Sequence, residues 1–205
     1  MTFRIDVFKG AEAAPYIRTL AEMRLKTFCE FPYLYVGKIE DDLIYTQIFS
    51  ATPQGMLVVA FQGDTIVGIR SGVPVRDQAK PLDEKRCQQL EKHGIKAKEY
   101  YYCGEIIVDL AFRKRGIAGQ LMTKFIEEAK AMGFPGLIAI TSIRPNDHPL
   151  RPQNYFEAGI FLNKYGFEKS SVVFTARWPT QQPDGTVKKE KNELACWIKE
   201  MGRKI

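Results

Sequence analysis

Glu105 is the one charged residue in the run Tyr101-Tyr102-Cys103-Gly104-Glu105-Ile106-Ile107-Val108. The run favours a buried strand. A carboxyl group there is desolvated, which raises its pKa toward the range useful for moving a proton at neutral pH. The alternative for Glu105 is a structural carboxylate paired with an arginine. Downstream stands Arg113-Lys114-Arg115-Gly116-Ile117-Ala118-Gly119, a basic turn with small residues. Apolar residues then recur at Leu121, Met122, Phe125, Ile126, Ala129 and Met132, which is helical spacing. Strand, basic turn and helix together aim free backbone N–H groups and a partial positive charge at a phosphate. Gly116 and Ala118 let the backbone come close, and Arg113, Lys114 and Arg115 add charge.

Two phosphate-binding patterns are missing. The Walker pattern G-x-x-x-x-G-K-S/T is absent. The dinucleotide fingerprint needs three spaced glycines and an acid after the next strand, but the turn offers Gly116 and Gly119, and that strand ends Ser142-Ile143-Arg144. ATP and nicotinamide folds are therefore disfavoured.

The elements that must position these residues follow from periodicity. Thr2–Phe8 alternates as a strand, and Ala11–Phe28 carries a helix starting near Pro15. Phe28–Tyr35 is an aromatic loop, and Asp41–Phe49 a short helix. Met56–Phe61 and Thr65–Ser71 read as strands joined by the Gln62-Gly63-Asp64 turn. Val75–Lys98 is polar and helix-prone, best over Leu82–Leu90. Gly136–Ser142 reads as a buried strand, Arg144–Pro152 as a proline-rich loop and Asn154–Tyr165 as a helix closed by Gly166. Phe167–Trp178 and Val187–Met201 form a last hairpin. The expected fold class is α+β, with a mixed, mostly antiparallel sheet flanked by helices in a single domain over residues 1–205.

Composition sets outer bounds. The chain has 205 residues, a net charge of +6, and no apolar run near the about 20 residues of a membrane span. Its start carries no signal-type apolar block, so a cytoplasmic protein with no membrane partner is expected. Cys29, Cys87, Cys103 and Cys196 are scattered, and the histidines are His93 and His148, so no metal site is expected. The basic excess is mild and dispersed, which argues against a nucleic-acid partner.

The strand–turn–helix stretch resembles the GNAT superfamily of acetyl-CoA-dependent N-acetyltransferases, in a bacterial-type form. The family pattern Arg/Gln-x-x-Gly-x-Gly/Ala stands here as Arg113-Lys114-Arg115-Gly116-Ile117-Ala118. The helix ending at Gly133-Phe134, the strand after it and a helix closing at Gly166-Phe167 continue the resemblance. It implies acetyl-CoA as co-substrate, with its pyrophosphate on Arg113–Gly119. It also implies a strand that splays from its neighbour, with the backbones of Ile107 and Val108 pairing to the pantetheine amides and the thioester beside Glu105.

On that resemblance, acetyl passes to a primary amine of a small-molecule or peptide acceptor, with Glu105 as general base. Many members place an acidic Tyr four residues before the Gly of the Gly-Phe pair; here that residue is Leu162. Tyr155, seven residues before Leu162 and on the same helical face, could line a substrate pocket or replace the acid. Tyr33 and Tyr35 follow the first helix, where the family builds its acceptor site, and could line it; packing is the plainer role. His148 could touch substrate. Cys103 has no histidine near it in sequence to make it a nucleophile. The last hairpin could pair across a homodimer. Leu162 also motivates an alternative, a non-catalytic acyl-CoA-binding module.

Overall fold

Alternating and β-branched segments form strands over Arg4–Lys9 (β1), Met56–Gln62 (β2), Thr65–Pro74 (β3), Tyr101–Val108 (β4), Gly136–Ile143 (β5), Glu168–Gln181 (β6) and Val187–Glu200 (β7). Helices span Ile17–Phe28 (α1), Ile39–Thr46 (α2), Ile48–Ala51 (α3), Glu84–Glu91 (α4), Ile117–Ala131 (α5) and Ala158–Lys164 (α6). The computed structural model describes residues 3–77 and 82–202. Thr2 of the expected first strand and residues 78–81 of the polar stretch lie outside the described residues.

The strands make one seven-stranded sheet in the order β1-β2-β3-β4-β5-β7-β6. Every neighbouring pair is antiparallel except β4 with β5. Apolar side chains leave both faces of the sheet. One cluster gathers Ile17 and Leu20 of α1, Phe49 of α3 and Leu90 of α4 against Leu57, Ile69, Tyr102 and Ile107. The other packs Leu121, Met122 and Phe125 of α5 and Leu162 of α6 against Val58, Tyr101, Cys103 and Trp197. Burying each Leu or Phe in such a layer contributes about 1.5–3 kcal/mol. Sequence periodicity and structure agree on the element order. The Gln62-Gly63-Asp64 turn closes the β2–β3 hairpin with Gly63 at φ +57°.

The last predicted helix is shorter than expected. Glu157 is extended, with φ −69° and ψ 131°, so α6 begins at Ala158 instead of Asn154. The proline loop runs on into a turn in which Tyr155 N–H donates to the Pro152 carbonyl at 3.1 Å. Tyr155 is thus off the helix, and its supposed same-face relation to Leu162 does not hold. The free edge of β6 is covered. Arg86 and Gln89 of α4 donate to the carbonyls of Thr175 (2.6 Å) and Val173 (3.4 Å). Gln181 N–H donates to the Leu34 carbonyl at 2.8 Å.

Two irregularities in β4 matter for function. Between the pairs Arg70↔Ile106 and Gly72↔Cys103, Ser71 faces two residues, Gly104 and Glu105. This is a β-bulge. Before it Tyr102 faces the α1 side and Cys103 the α5 side; after it Ile107 faces the α1 side and Ile106 the α5 side. The extra residue therefore turns Glu105 to the α1 side. Strict alternation from Tyr102 would send it to the other. A Cβ on Gly104 would meet Ser71 Oγ at 2.3 Å and the Phe49 ring at 2.9 Å, so the bulge requires glycine.

The second irregularity is the β4–β5 pairing, which stops at Cys103↔Ala139. Both strands continue, to Val108 and Ile143, without pairing. The sheet opens there, and Ile140–Ile143 are only half-buried for that reason.

Arg70 on β3 is 2% exposed. Its guanidinium lies 4.5 Å over the Phe125 ring, and its Nε and Nη2 have no hydrogen-bond partner. A buried charge without a carboxylate costs stability, so Arg70→Met is expected to stabilise the fold by about 1–4 kcal/mol. Calorimetric melting checks this; a lower melting temperature in the Met variant would show the guanidinium to be satisfied.

Candidate active site

Glu105 sits at the mouth of the β4–β5 opening and is 5% exposed. A carboxylate so buried must be paired, and the chain pairs it from two elements. Arg24 of α1 donates from Nη1 to Glu105 Oε1. Ser71 of β3 donates its hydroxyl to Glu105 Oε2 and accepts the Glu105 N–H at 2.8 Å. The Tyr45 phenol of α2 lies close enough to Glu105 and Tyr102 for their electrostatics to act on it. Arg24 lies on the apolar stripe of α1, one turn after Leu20 and one turn before Phe28. Its Nε donates to Asp42 Oδ1 at 2.6 Å. Asp42 is 1% exposed and accepts the Tyr35 hydroxyl at 3.0 Å. The Arg24 guanidinium is held between the rings of Tyr45 (4.3 Å) and Phe28 (4.8 Å).

Arg24, Asp42, Tyr45 and Glu105 line a cavity of about 340 Å³ with Phe28, Tyr33, Tyr35, Tyr102, Ile140, Trp178 and Leu194. Burial, then the charge of Glu105, pushes the Tyr33 phenol up to about 12. Burial, then Asp42, pushes Tyr35 up to about 12. Tyr45 rises for the same first reason. All three phenols are neutral at pH 7, so they can donate hydrogen bonds. Burial opposes the charge on Arg24, yet the carboxylates of Glu105 and Asp42 hold its pKa above the usual guanidinium value.

The phosphate-type loop lies at the other end of the opening. Gly116 precedes α5 with φ +80°, a left-handed conformation that favours glycine. A helix leaves the N–H groups of its first turn without partners inside the helix, here those of Ile117, Ala118 and Gly119. The Ile117 side chain is buried in the α5 layer, so only its backbone can face a ligand. Arg113 forks onto Glu30 at 2.9 and 3.3 Å and reaches the Val108 carbonyl at 3.3 Å, which ties the loop to the end of α1. Arg115 donates to the Ala111 carbonyl at 3.1 Å. Lys114 is exposed. The Tyr165 hydroxyl donates to the Gly119 carbonyl at 3.2 Å and braces the first turn of α5.

Ile107 needs correction as a backbone ligand. Glu105 N–H donates to Ser71, and Asp109 N–H to the Val67 carbonyl at 2.9 Å. Alternation directs the backbone groups of Ile107 to β3 as well, where it pairs with Ile69. Ile106 and Val108 are the residues whose N–H and C=O face the opening.

Tyr33 and Tyr35 join Glu105 in one cavity. Tyr155 and His148 do not line it. Tyr155 packs edge-on to Phe31 at 4.7 Å, beneath the Arg151 guanidinium at 4.9 Å, and lines a separate cavity over Ser142 and Trp197. His148 accepts the Leu150 N–H on Nδ1 at 3.2 Å, with its ring 5.6 Å from Phe31. Leu162 is buried core. Burial pushes the Cys103 thiol up to about 11, which leaves it without the thiolate of a nucleophile. Sequence reasoning missed Arg24, Asp42, Tyr45, Ser71 and Trp178. The signal for Arg24 was a charge on an apolar helical stripe.

Among the described residues, no helix is long and apolar enough to cross a membrane. The family described as acetyltransferase (GNAT) matches residues 20–152. No curated protein matches the sequence. Among solved structures, the chain resembles an N-acetyltransferase of Staphylococcus aureus (19% identity, TM-score 0.54), covering 98% of this chain and 99% of that one. An IAA acetyltransferase of Bacillus cereus gives 16% identity and a TM-score of 0.53 over 98% of this chain and 100% of that one. Escherichia coli ElaA gives 14% identity and 0.54 over 97% and 100%.

Proposed function

Because the chain belongs to the acetyltransferase (GNAT) family, we propose that it transfers an acetyl group from acetyl-CoA to a primary amine by direct attack. The observation that carries this reading is Glu105, turned by the β4 bulge into an aromatic cavity beside the β4–β5 opening. Acetyl-CoA supplies the activated carbonyl and a thiolate leaving group. The chain's own groups fit that ligand. The first turn of α5 behind Gly116 offers free donors for a pyrophosphate, with Lys114 adding charge. The backbones of Ile106 and Val108 face the opening and suit amides.

In the cavity, the aromatic walls hold the acceptor with its nitrogen toward Glu105. An ammonium that enters first gives up one proton, through Glu105 to water; as the C–N bond forms the nitrogen becomes acidic again, and Glu105 takes this second proton. The C–S bond then breaks, and the proton passes on to the thiolate. A thiol pKa of about 8.5 makes this a fair leaving group without a dedicated acid. That suits the presence of Leu162 in place of a phenol. Arg24 and Ser71 are positioning residues that fix the carboxylate's direction.

Release of free CoA thiol from acetyl-CoA in the presence of an amine panel tests this function. Absence of release from every amine would reject it. Gly116→Ala tests the loop. A Cβ in the left-handed region costs about 1–2 kcal/mol, and in this turn it also moves the N–H donors. CoA affinity, measured calorimetrically, is expected to fall by about 5–30-fold. Unchanged affinity would remove the loop from the ligand site.

A further inference from the structure

The charge and lining of the Glu105 cavity say which amines it accepts; the inference rests on the transfer reading above. We infer that the acceptor is a primary amine on an apolar, preferably aromatic, body that carries no carboxylate. The floor holds two buried carboxylates, Asp42 and Glu105, against one guanidinium, Arg24. That leaves a surplus negative charge, which an incoming ammonium neutralises.

Among the described residues around the cavity, no cation is free to receive an acceptor's carboxylate. Arg24 is fixed at two edges by the carboxylates and on both faces by Tyr45 and Phe28. To grip a third anion it would have to abandon one of two buried ones. Arg177 borders the cavity. Its strand neighbours Ala176 and Trp178 pack in the α1-side layer, so alternation sends the Arg177 side chain to the opposite face. Arg144 is spent on the carbonyls of Pro32 (2.9 Å) and Tyr33 (3.3 Å) and on Asn192 Oδ1 (2.6 Å).

The walls match the rest of such a molecule. Tyr33 stacks on Phe28 with ring centres 4.4 Å apart, and the Trp178 indole N–H is tied to the Tyr33 carbonyl at 3.0 Å. The polar edge of the indole is thereby occupied, which leaves its apolar surface to the cavity. Aromatic faces beside surplus negative charge attract ammonium groups. A cavity of about 340 Å³ encloses a small molecule rather than a folded protein surface.

The test pairs each amine with its carboxylated counterpart: 2-phenylethylamine with phenylalanine, and hexylamine with 6-aminohexanoic acid. The wild-type chain is used with saturating acetyl-CoA for turnover, and with CoA for calorimetric binding. Each amine is expected to exceed its counterpart in kcat/KM by roughly 100-fold or more, because the carboxylate would be desolvated without a partner. Equal or better turnover of the amino acids would overturn the inference. So would failure of both amines to bind. Tight binding of the amines over the amino acids with no CoA release would support the acceptor class and reject the transfer reading.

Discussion

Glu105→Gln is expected to lower kcat/KM for a primary amine by about 10²- to 10⁴-fold at neutral pH. The amide keeps the shape of the side chain and its hydrogen bond with Ser71 but cannot take the proton from the attacking nitrogen. The deficit is expected to shrink as pH rises toward the amine's own pKa, about 10 for an alkyl amine. There the acceptor arrives neutral, and bulk hydroxide relieves the nitrogen of its proton. CoA release followed from about pH 7 to pH 10, with CoA affinity measured alongside, checks both parts. A loss equal at every pH would assign Glu105 to holding Arg24 instead of moving a proton.

Arg24→Met is expected to cost stability on a larger scale. It removes the cation from two buried carboxylates, Asp42 and Glu105. Breaking such a set by deleting one partner costs about 3–5 kcal/mol, or about 6–20 °C in melting temperature for a chain of this size. The sign of the pH dependence follows. Without the guanidinium, burial and mutual repulsion push both carboxyls above their unfolded pKa values. The folded variant then binds more protons than the unfolded one, so its stability is full below the ordinary carboxylate range and falls as pH rises through the raised values. The gap to the wild type is therefore wider at about pH 8 than at about pH 5. Melting curves at both settle it, and equal gaps would mean that the carboxylates are reached by water.

The two halves of the site differ in how far sequence could show them. Arg113–Gly119 was legible because its geometry is local: the strand, the turn and the helix are contiguous, and each has its own periodicity. Glu105 was legible as an acid in an apolar run. Its partners were not, since Arg24 lies 81 residues away and Asp42 joins only through Arg24. Of the two readings of Glu105 kept open by the sequence, the structure bears out the arginine pair; the carboxylate also lines the cavity, and its work as a base belongs to the proposed function. Tyr155 was misplaced because helical periodicity marks where apolar residues recur but not where Glu157 turns extended. Ile107 was chosen over Ile106 because a bulge leaves no compositional trace except Gly104, and backbone direction beyond it changes by one residue. The order of elements along the chain, in contrast, followed from strand composition and short turns.

The bulge at Gly104 also bears on how this gene tolerates change. Strand position is read in pairs, and the extra residue shifts that reading for everything beyond it. A single-codon deletion at Gly104 would keep every cavity side chain in the sequence. It would also leave Tyr102 and Glu105 two residues apart in a regular ladder, and so still on one face. The expected phenotype is a protein that keeps its cavity, whereas one codon inserted between Gly104 and Glu105 turns Glu105 out of it. In-frame deletion scanning would therefore find Gly104 tolerant where loss of Ile106, beyond the bulge, sends Ile107 and Val108 to the opposite faces.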